Sequence, residues 1–151
     1  MIVRKARARD VEILGKLFEQ FSGWHLERSV SIQKAIADSD GELLVAEVDG
    51  LVIGFVHQVF FEDPHHAGLN SLITDLFVRK EQQGQGIGSE LIKRALESAK
   101  KKNVKEVHVT TREDNHEVLP ETRVQQSRHT IRIESLLTGS QKLFFSETCI
   151  S

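Results

Sequence analysis

The chain has 151 residues and a formal net charge of −2 at pH 7, with 39% hydrophobic and 28% charged residues. This balance suits one globular domain with its own core, which we predict over residues 1–151. Nucleic acid is not expected as a partner, because phosphate contacts need clustered Lys and Arg. The only dense basic run, at residues 100–102, ends a predicted helix, where cations favour the helix dipole.

The cysteine content and the N-terminus both bear on the compartment. The single cysteine, Cys149, cannot form a disulfide within the chain and fits a reducing compartment. The N-terminal residues are charged and lack an apolar run, so no signal peptide is predicted. No apolar stretch approaches the roughly 20 residues of a membrane span. We therefore expect a cytoplasmic protein without a membrane partner.

The first third of the chain predicts a strand, two helices and the start of a hairpin. A short strand covers residues 2–6, and Asp10 is placed to cap a helix over residues 11–21, whose apolar residues recur at helical spacing. A shorter helix is predicted over residues 31–38. Two β-branched runs then flank Asp49-Gly50, a pair that indicates a β-hairpin.

The middle of the chain predicts a loop followed by a further strand. A loop, DPHHAGLN at residues 63–70, precedes a buried strand at residues 72–78. In this loop His65 and His66 are adjacent, so their side chains diverge on regular structure and no metal site is predicted.

An amphipathic helix over residues 86–102 and a strand over 104–111 complete the order β-α-α-β-β-β-α-β. The apolar face of this helix is predicted to consist of Ile87, Leu91, Ile92, Ala95, Leu96 and Ala99. Beyond residue 115 no helical stripe is visible, and Pro120 interrupts any helix that begins near 115. The segments 129–137 and 142–150 have the composition of strands.

The strand-to-helix turn carries the sequence RKEQQGQGIGSE at residues 79–90. Its glycines allow unusual backbone dihedrals and close approach of a ligand. The first N–H groups of a helix have no internal partner and lie at the positive end of its dipole. Such a turn favours pyrophosphate. The glycine spacing matches neither the Walker pattern nor the G-x-G-x-x-G of dinucleotide folds.

The segment DLFVRKEQQGQGIGSELIKRAL resembles motif A of the GNAT N-acetyltransferases, which has Gln or Arg, two residues, Gly, one residue, then Gly or Ala. These positions are Gln83, Gly86 and Gly88. The resemblance covers residues 2–115 in element order. It implies the GNAT fold, an α/β (α+β) domain in which helices flank a central, mixed, mostly antiparallel sheet, here with an atypical C-terminal third.

The resemblance also implies a function. The family transfers the acetyl group of acetyl-CoA, as co-substrate, to a primary amine of a small molecule or peptide. Homodimers are frequent in this family, so the resemblance is also compatible with a homodimer. The backbone of the strand before the loop should pair with the pantetheine arm, the loop N–H groups should bind the pyrophosphate, and an Asn after the fifth strand commonly contacts the cofactor. The residues so implied are Leu76, Phe77, Val78, Gln83, Gly84, Gln85, Gly86, Ile87, Gly88, Ser89 and Asn115.

The family reaction needs a base for the ammonium, an oxyanion stabiliser and an acid for the leaving thiolate. Asp75 is the candidate catalytic base, on the strand beside the reaction centre. Strand alternation places it opposite Leu76, so pointing away from that centre is the alternative.

Other residues fall where this family binds the acceptor amine. His57, Glu62 and Asp63 belong to the third strand or its end, and ordinary surface roles are their alternative. Trp24 and His25 lie between the two early helices, where the acceptor pocket is often lined. Partial burial in the core is the alternative for Trp24.

The C-terminal third departs from the family. There the Asn is followed by a helix with a Tyr, which commonly protonates the thiolate, and then by Gly-Phe, whereas this chain contains no Tyr. The residues LPETRVQQS, 119–127, permit codons that encode Tyr-Arg-Lys-Leu-Gly-Phe when translated one base later. We hypothesise a frameshifted tail from about residue 119. A divergent C-terminal third that evolved in frame is the alternative.

A missing acid bears on activity more than on binding. Turnover should fall by about 10²–10⁴-fold without it, whereas the main cofactor contacts precede residue 116. Two other functions therefore remain: an acyl-CoA-binding protein with weak or no catalysis, and a nucleotide or phosphate binder without acyl chemistry.

Overall fold

The computed structural model describes residues 1–65 and 67–110, together with the backbone of three later strands. The elements are β1 (Ile2–Lys5), α1 (Val11–Ser22), α2 (Ser29–Ala37), β2 (Gly41–Val48), β3 (Leu51–Asp63), β4 (Gly68–Val78), α3 (Ile87–Lys101), β5 (Glu106–Thr110), β6 (Val124–Ser127), β7 (Thr130–Ile133) and β8 (Lys142–Ser146). The predicted order of elements is confirmed up to β5. Within the described ranges, no helix is both long and apolar enough to cross a membrane.

The strands form one mixed sheet in the order β1-β2-β3-β4-β5-β8-β7-β6. Strands β1 to β4 pair antiparallel, whereas β5 runs parallel to both β4 and β8. The pairs β6–β7 and β7–β8 are again antiparallel. The predicted fold class, a mostly antiparallel sheet flanked by helices, is confirmed.

Local sequence explains the first hairpin. Asp49 and Gly50 have φ of 49° and 80°, the positive values that a two-residue type I′ turn requires. The second hairpin is tighter than the predicted loop over residues 63–70. Asp63 accepts hydrogen bonds from the backbone N–H of His65 and from Asn70 Nδ2, each at 2.9 Å, and so helps to close the turn.

The start of α1 differs from the prediction in one respect. Asp10 precedes the helix, but its side chain makes no capping hydrogen bond to α1. Its carboxylate instead accepts from the Arg7 N–H at 2.7 Å and from the Arg4 guanidinium at 2.7 and 3.0 Å. The sequence pattern identified the boundary correctly, but Arg4 competes for the carboxylate that would have served as the cap.

Two cores lie on opposite faces of the sheet. On one face α3 packs through the buried stripe that the sequence predicts: Ile87, Leu91, Ile92, Ala95, Leu96 and Ala99. On the other face Leu14 and Leu17 of α1 and Ile32 of α2 pack against Phe55 of β3. Alternation along β3 and β4 therefore decides whether a side chain lies on the α3 face or the α1/α2 face.

A β-bulge in β4 interrupts that alternation. His57 of β3 pairs with Asp75, and the next residue, Gln58, pairs with Ile73. Thr74 is thus the extra residue on β4. Bulges change the direction in which the neighbouring side chains point and are common beside active sites.

The bulge places Asp75 on the α1/α2 face. Ile73 and Leu76 both contact the α3 core although three positions separate them, while Phe77 contacts the α1/α2 core. Asp75, two positions from Phe77, shares its face. The predicted opposition of Asp75 to Leu76 is therefore present, and it directs the carboxylate away from α3.

Candidate functional site

Strands β4 and β5 separate at the level of the bulge. Their ladder runs from Ser71 to Ile73 on β4. Beyond it, the segment 75–78 pairs only with β3 among the described strands. The backbone groups of this segment that point toward the β5 side are therefore available to an extended ligand that adds as a strand.

The glycine loop turns the chain from β4 into α3. Gly84 and Gly86 have φ of 74° and 79°, which other residues adopt only with strain. Gly86 is the N-cap of α3. A Cβ built on either glycine would meet nothing within 4 Å. The positive φ, rather than crowding, thus requires glycine, and the space above the loop is open.

The N-terminus of α3 faces this open space. The Glu90 N–H donates to the Gly86 carbonyl at 3.0 Å, the first turn of the helix ladder. The N–H groups of Ile87 and Gly88 precede this turn and have no acceptor within the helix. The Ile87 side chain is buried and fixes the helix end on the core. The arrangement offers N–H groups and a positive dipole end to an anion.

Gln83 fastens the loop to the end of β4. Its Nε2 donates to the Val78 carbonyl at 2.9 Å, and the next backbone N–H, of Arg79, donates to Ile53 O at 2.9 Å. The side chain of Gln83 therefore holds the loop in place and leaves the loop backbone exposed.

Three polar side chains meet at the bulge. The Thr74 hydroxyl lies 2.9 Å from His57 Nδ1 and donates to Asp75 Oδ2 at 2.8 Å. His57 Nδ1 and Asp75 Oδ2 are 3.7 Å apart, with side chains 20% and 30% exposed. The sequence predicted Asp75 as a candidate base and His57 as a separate acceptor-site candidate, and the structure brings their side chains together. It did not nominate Thr74, because nothing in a single sequence marks a bulge.

An aromatic cluster lines the same face. The Phe21 and Phe77 ring centroids are 5.8 Å apart, and those of Phe55 and Phe77 are 6.1 Å apart. Phe18 stacks at 4.2 Å on Phe55. Through these ring contacts, α1 packs over the end of β4, on the face that also carries Asp75.

The segment between α1 and α2 borders this cluster. The Arg28 guanidinium donates to the carbonyls of Trp24 and Leu26, each at 3.1 Å, and to Ser22 Oγ at 2.9 Å. Trp24 is 69% exposed, so the alternative of partial burial in the core is wrong. His25, also exposed, lies 2.9 Å from the Glu19 carboxylate.

The remaining nominated residues lie elsewhere. Glu62 is farther along β3 than His57, roughly 17 Å away at about 3.3 Å per residue, and Asp63 is used in the turn. Asn115, His66 and Cys149 are outside the described residues. Among the residues that are described, no cluster of His, Cys, Asp and Glu could hold a metal ion.

Comparison with known proteins identifies the family. The acetyltransferase (GNAT) family profile matches residues 11–120. The chain belongs to this family. GNAT acetyltransferases in general use acetyl-CoA as co-substrate. The match stops at residue 120, next to the segment in which the sequence departs from the family pattern. None of the curated proteins compared matches the chain.

Solved GNAT structures share the fold. An acetyltransferase from Vibrio fischeri is 25% identical with a TM-score of 0.64, and the match covers 72% of this chain and 94% of that one. The ribosomal-protein-alanine N-acetyltransferase of Brucella melitensis is 18% identical with a TM-score of 0.67, and the match covers 78% of this chain and 86% of that one. An aminoglycoside acetyltransferase from an uncultured soil metagenomic sample, in complex with sisomicin, is 20% identical with a TM-score of 0.69. That match covers 83% of this chain and 91% of the other.

Proposed function

We propose that this GNAT chain is an N-acetyltransferase that transfers the acetyl group of acetyl-CoA to a primary amine of a small molecule or peptide. The observation that carries the proposal is the side of β4 at residues 75–78 with which no described strand pairs, and which leads directly into an open, glycine-rich helix N-terminus. Together they fit the two polar parts of CoA, an amide-bearing arm that can pair as a strand and a pyrophosphate.

The proposed contacts follow this geometry. The backbone of Leu76, Phe77 and Val78 binds the pantetheine arm, and the loop backbone binds the pyrophosphate. Asn115 is proposed by its position in the family pattern alone. The proposed pyrophosphate residues are Gln83, Gly84, Gln85, Gly86, Ile87, Gly88 and Ser89.

The reaction proposed is direct attack. A neutral amine donates its lone pair to the thioester carbon, the C–N bond forms and the C–S bond breaks, and the sulfur leaves as a thiolate that takes up a proton. Asp75, on the α1/α2 face next to the segment proposed to bind the pantetheine arm, serves in removal of the ammonium proton. The acidic Asp75 and the neighbouring aromatic rings suit a cationic acceptor with apolar parts.

A weakly catalytic acyl-CoA binder is the second candidate, and one observation favours it. The chain contains no Tyr, the residue that commonly protonates the thiolate in this family. Under either candidate we propose one cytoplasmic domain over residues 1–151, atypical from residue 119, with a homodimer as a further proposal.

Thiol release from acetyl-CoA tests the proposal. Spermidine, sisomicin and a peptide with N-terminal alanine form a first acceptor panel, since two similar structures are named for an aminoglycoside and for a protein alanine as acceptors. Acceleration by an amine is expected. Calorimetric binding of acetyl-CoA without acceleration by any amine would support the second candidate. Displacement of CoA by ATP at equal concentration, or no CoA binding at all, would overturn both.

A further inference from the structure

We propose that His57, through Nε2, accepts the proton of the attacking ammonium, with Thr74 and Asp75 as positioning residues that fix its ring. This inference rests on the proposed function and refines it, because Asp75 then acts through His57 instead of as the base itself. The groups concerned lie on adjacent strands at the bulge.

The hydrogen bonds at the bulge determine the tautomer of His57. An ionised carboxylate can only accept, so the Thr74 hydroxyl must donate to Asp75 Oδ2, 2.8 Å away. The hydroxyl has no second proton, so its contact with His57 Nδ1 at 2.9 Å requires the ring to donate. Neutral His57 therefore carries its proton on Nδ1 and a lone pair on Nε2. Without this chain of donors, either ring nitrogen could hold the proton.

The location suits proton transfer from an acceptor amine. His57 pairs with Asp75 and its neighbour Val56 pairs with Leu76, so the imidazole is one strand away from the segment proposed to hold the thioester. Directly opposed side chains have Cβ atoms about 4.5–5.5 Å apart. Among the described residues, no hydrogen bond engages Nε2, and the ring is 20% exposed. Transfer can therefore be direct or through one water.

The carboxylate also stabilises the product of the transfer. Once Nε2 takes the proton, the imidazolium faces Asp75 Oδ2 at 3.7 Å, and the Thr74 hydroxyl still accepts from Nδ1 and still donates to Asp75. No hydrogen bond is broken by the proton's arrival. The ammonium loses one proton to Nε2, and its freed lone pair forms the C–N bond while the C–S pair leaves with sulfur. The nitrogen then loses a second proton, which the thiolate takes up, so that the products are a neutral amide and a thiol.

Asp75 alone is a poorer base in this geometry. One of its two oxygens, Oδ2, already accepts the Thr74 proton. His57 Nε2, by contrast, has no hydrogen bond to any of the described residues and presents its lone pair on the shared face. A proton that arrives at Nε2 therefore leaves both contacts of the Thr74 hydroxyl in place.

A tautomer measurement tests the assignment without any substrate. In long-range ¹H–¹⁵N spectra of the labelled full chain, assigned with His57→Gln, we expect His57 to show a pyrrole-type Nδ1 and a pyridine-type Nε2. Thr74→Ser, which keeps the hydroxyl, should preserve this pattern. Thr74→Val, of similar shape but without the hydroxyl, should shift it toward the Nε2–H form. A wild-type ring with the proton on Nε2 would overturn the proposal.

Kinetics test its consequence with the fastest amine of the panel. His57→Gln should lower kcat by about 10²–10⁴-fold with unchanged calorimetric binding of acetyl-CoA, whereas His65→Gln, in the β3–β4 turn, should leave both unchanged. Wild-type kcat in His57→Gln would overturn the proposal. Failure of the wild-type chain to bind acetyl-CoA would instead overturn the proposed function, and the tautomer result would be independent of it.

Discussion

His57 and Asp75 face each other across β3 and β4, and the Thr74 hydroxyl bridges them at 2.9 and 2.8 Å. The bridge exists because β4 carries one extra residue at this point. Without the bulge, Asp75 would share the α3 face with Ile73 and meet the apolar core. One inserted position therefore supplies the polar group on the α1/α2 face, from which we propose that the acceptor amine approaches.

Gly54 controls how closely β3 and β4 approach beside the proposed pantetheine segment. A Cβ at this position would lie 2.7 Å from the Phe77 carbonyl and 3.2 Å from Val78 Cγ2. We expect Gly54→Ala to lower the free energy of unfolding by about 1–3 kcal/mol and to weaken acetyl-CoA binding, as measured by urea denaturation and calorimetry.

The matched control is Gly15→Ala in α1, where a Cβ meets nothing within 4 Å. It should raise stability by roughly 0.5–1 kcal/mol without affecting acetyl-CoA. A Gly54→Ala protein as stable as the wild type would show that β4 can shift freely at this point.

The ion pair between Arg4 and Asp10 makes the free energy of unfolding depend on pH. The Arg4 guanidinium holds the pKa of Asp10 below its usual range, against the opposing effect of burial. A depressed folded-state pKa gives stability that is present above the unfolded pKa and is lost as pH falls through the folded one. Asp10→Asn should cost about 1–3 kcal/mol at pH 7, because Arg4 keeps Glu47 as a partner but loses its charge-assisted hydrogen bonds to the Asp10 carboxylate.

Urea denaturation at neutral and acidic pH measures this dependence. The difference between wild type and Asp10→Asn should shrink as pH falls below the usual range of an Asp carboxyl. Glu12→Gln, which removes an exposed partner of Lys16, should behave like the wild type. A constant difference at every pH would contradict a role for the ionised Asp10 carboxylate.

We expect Trp24 to contact the acceptor amine and not to stabilise the core. Its side chain is 69% exposed, so Trp24→Ala should change stability by no more than about 0.5 kcal/mol. We expect a higher KM for the amine with unchanged acetyl-CoA affinity. Leu17→Ala, fully buried in α1, should by contrast cost about 2–5 kcal/mol. An unchanged amine KM in Trp24→Ala would remove the residue from the acceptor site.

The gene should contain the missing family motif one base out of frame. We expect the codons for residues 119–127 to encode Tyr-Arg-Lys-Leu-Gly-Phe when translated one base later. Restoring that frame should raise kcat by about 10²–10⁴-fold through the returned acid, with little change in acetyl-CoA affinity. Codons that do not yield this motif would support an in-frame, divergent C-terminal third.

The elements that sequence periodicity describes were predicted well. The stripe of α3 gives a complete list of its buried residues, and Asp49-Gly50 adopts the two positive φ values of its turn. Both patterns are local, since each depends on residues a few positions apart.

The features that depend on contacts between distant residues were not predictable. Arg4 reaches Asp10 and Glu47 and takes the expected cap of α1. The bulge at Thr74 arises from how β4 fits β3. Glycines in a sequence indicate a loop, whereas a β-bulge requires no particular residue type. The pairing of His57 with Asp75 is therefore visible only in the structure.

Two glycines with nearly the same φ allow the most direct test of acetyl-CoA binding at residues 83–89. Gly86 and Gly50 have φ of 79° and 80°, and a Cβ on either meets nothing within 4 Å. An alanine at either position carries the same strain, of order 1–2 kcal/mol, but only the side chain at residue 86 enters the proposed pyrophosphate site. Calorimetric titration with acetyl-CoA should show greatly weakened binding in Gly86→Ala, abolished binding in Gly86→Glu and wild-type affinity in Gly50→Ala. Wild-type affinity in the folded Gly86 variants would contradict the site.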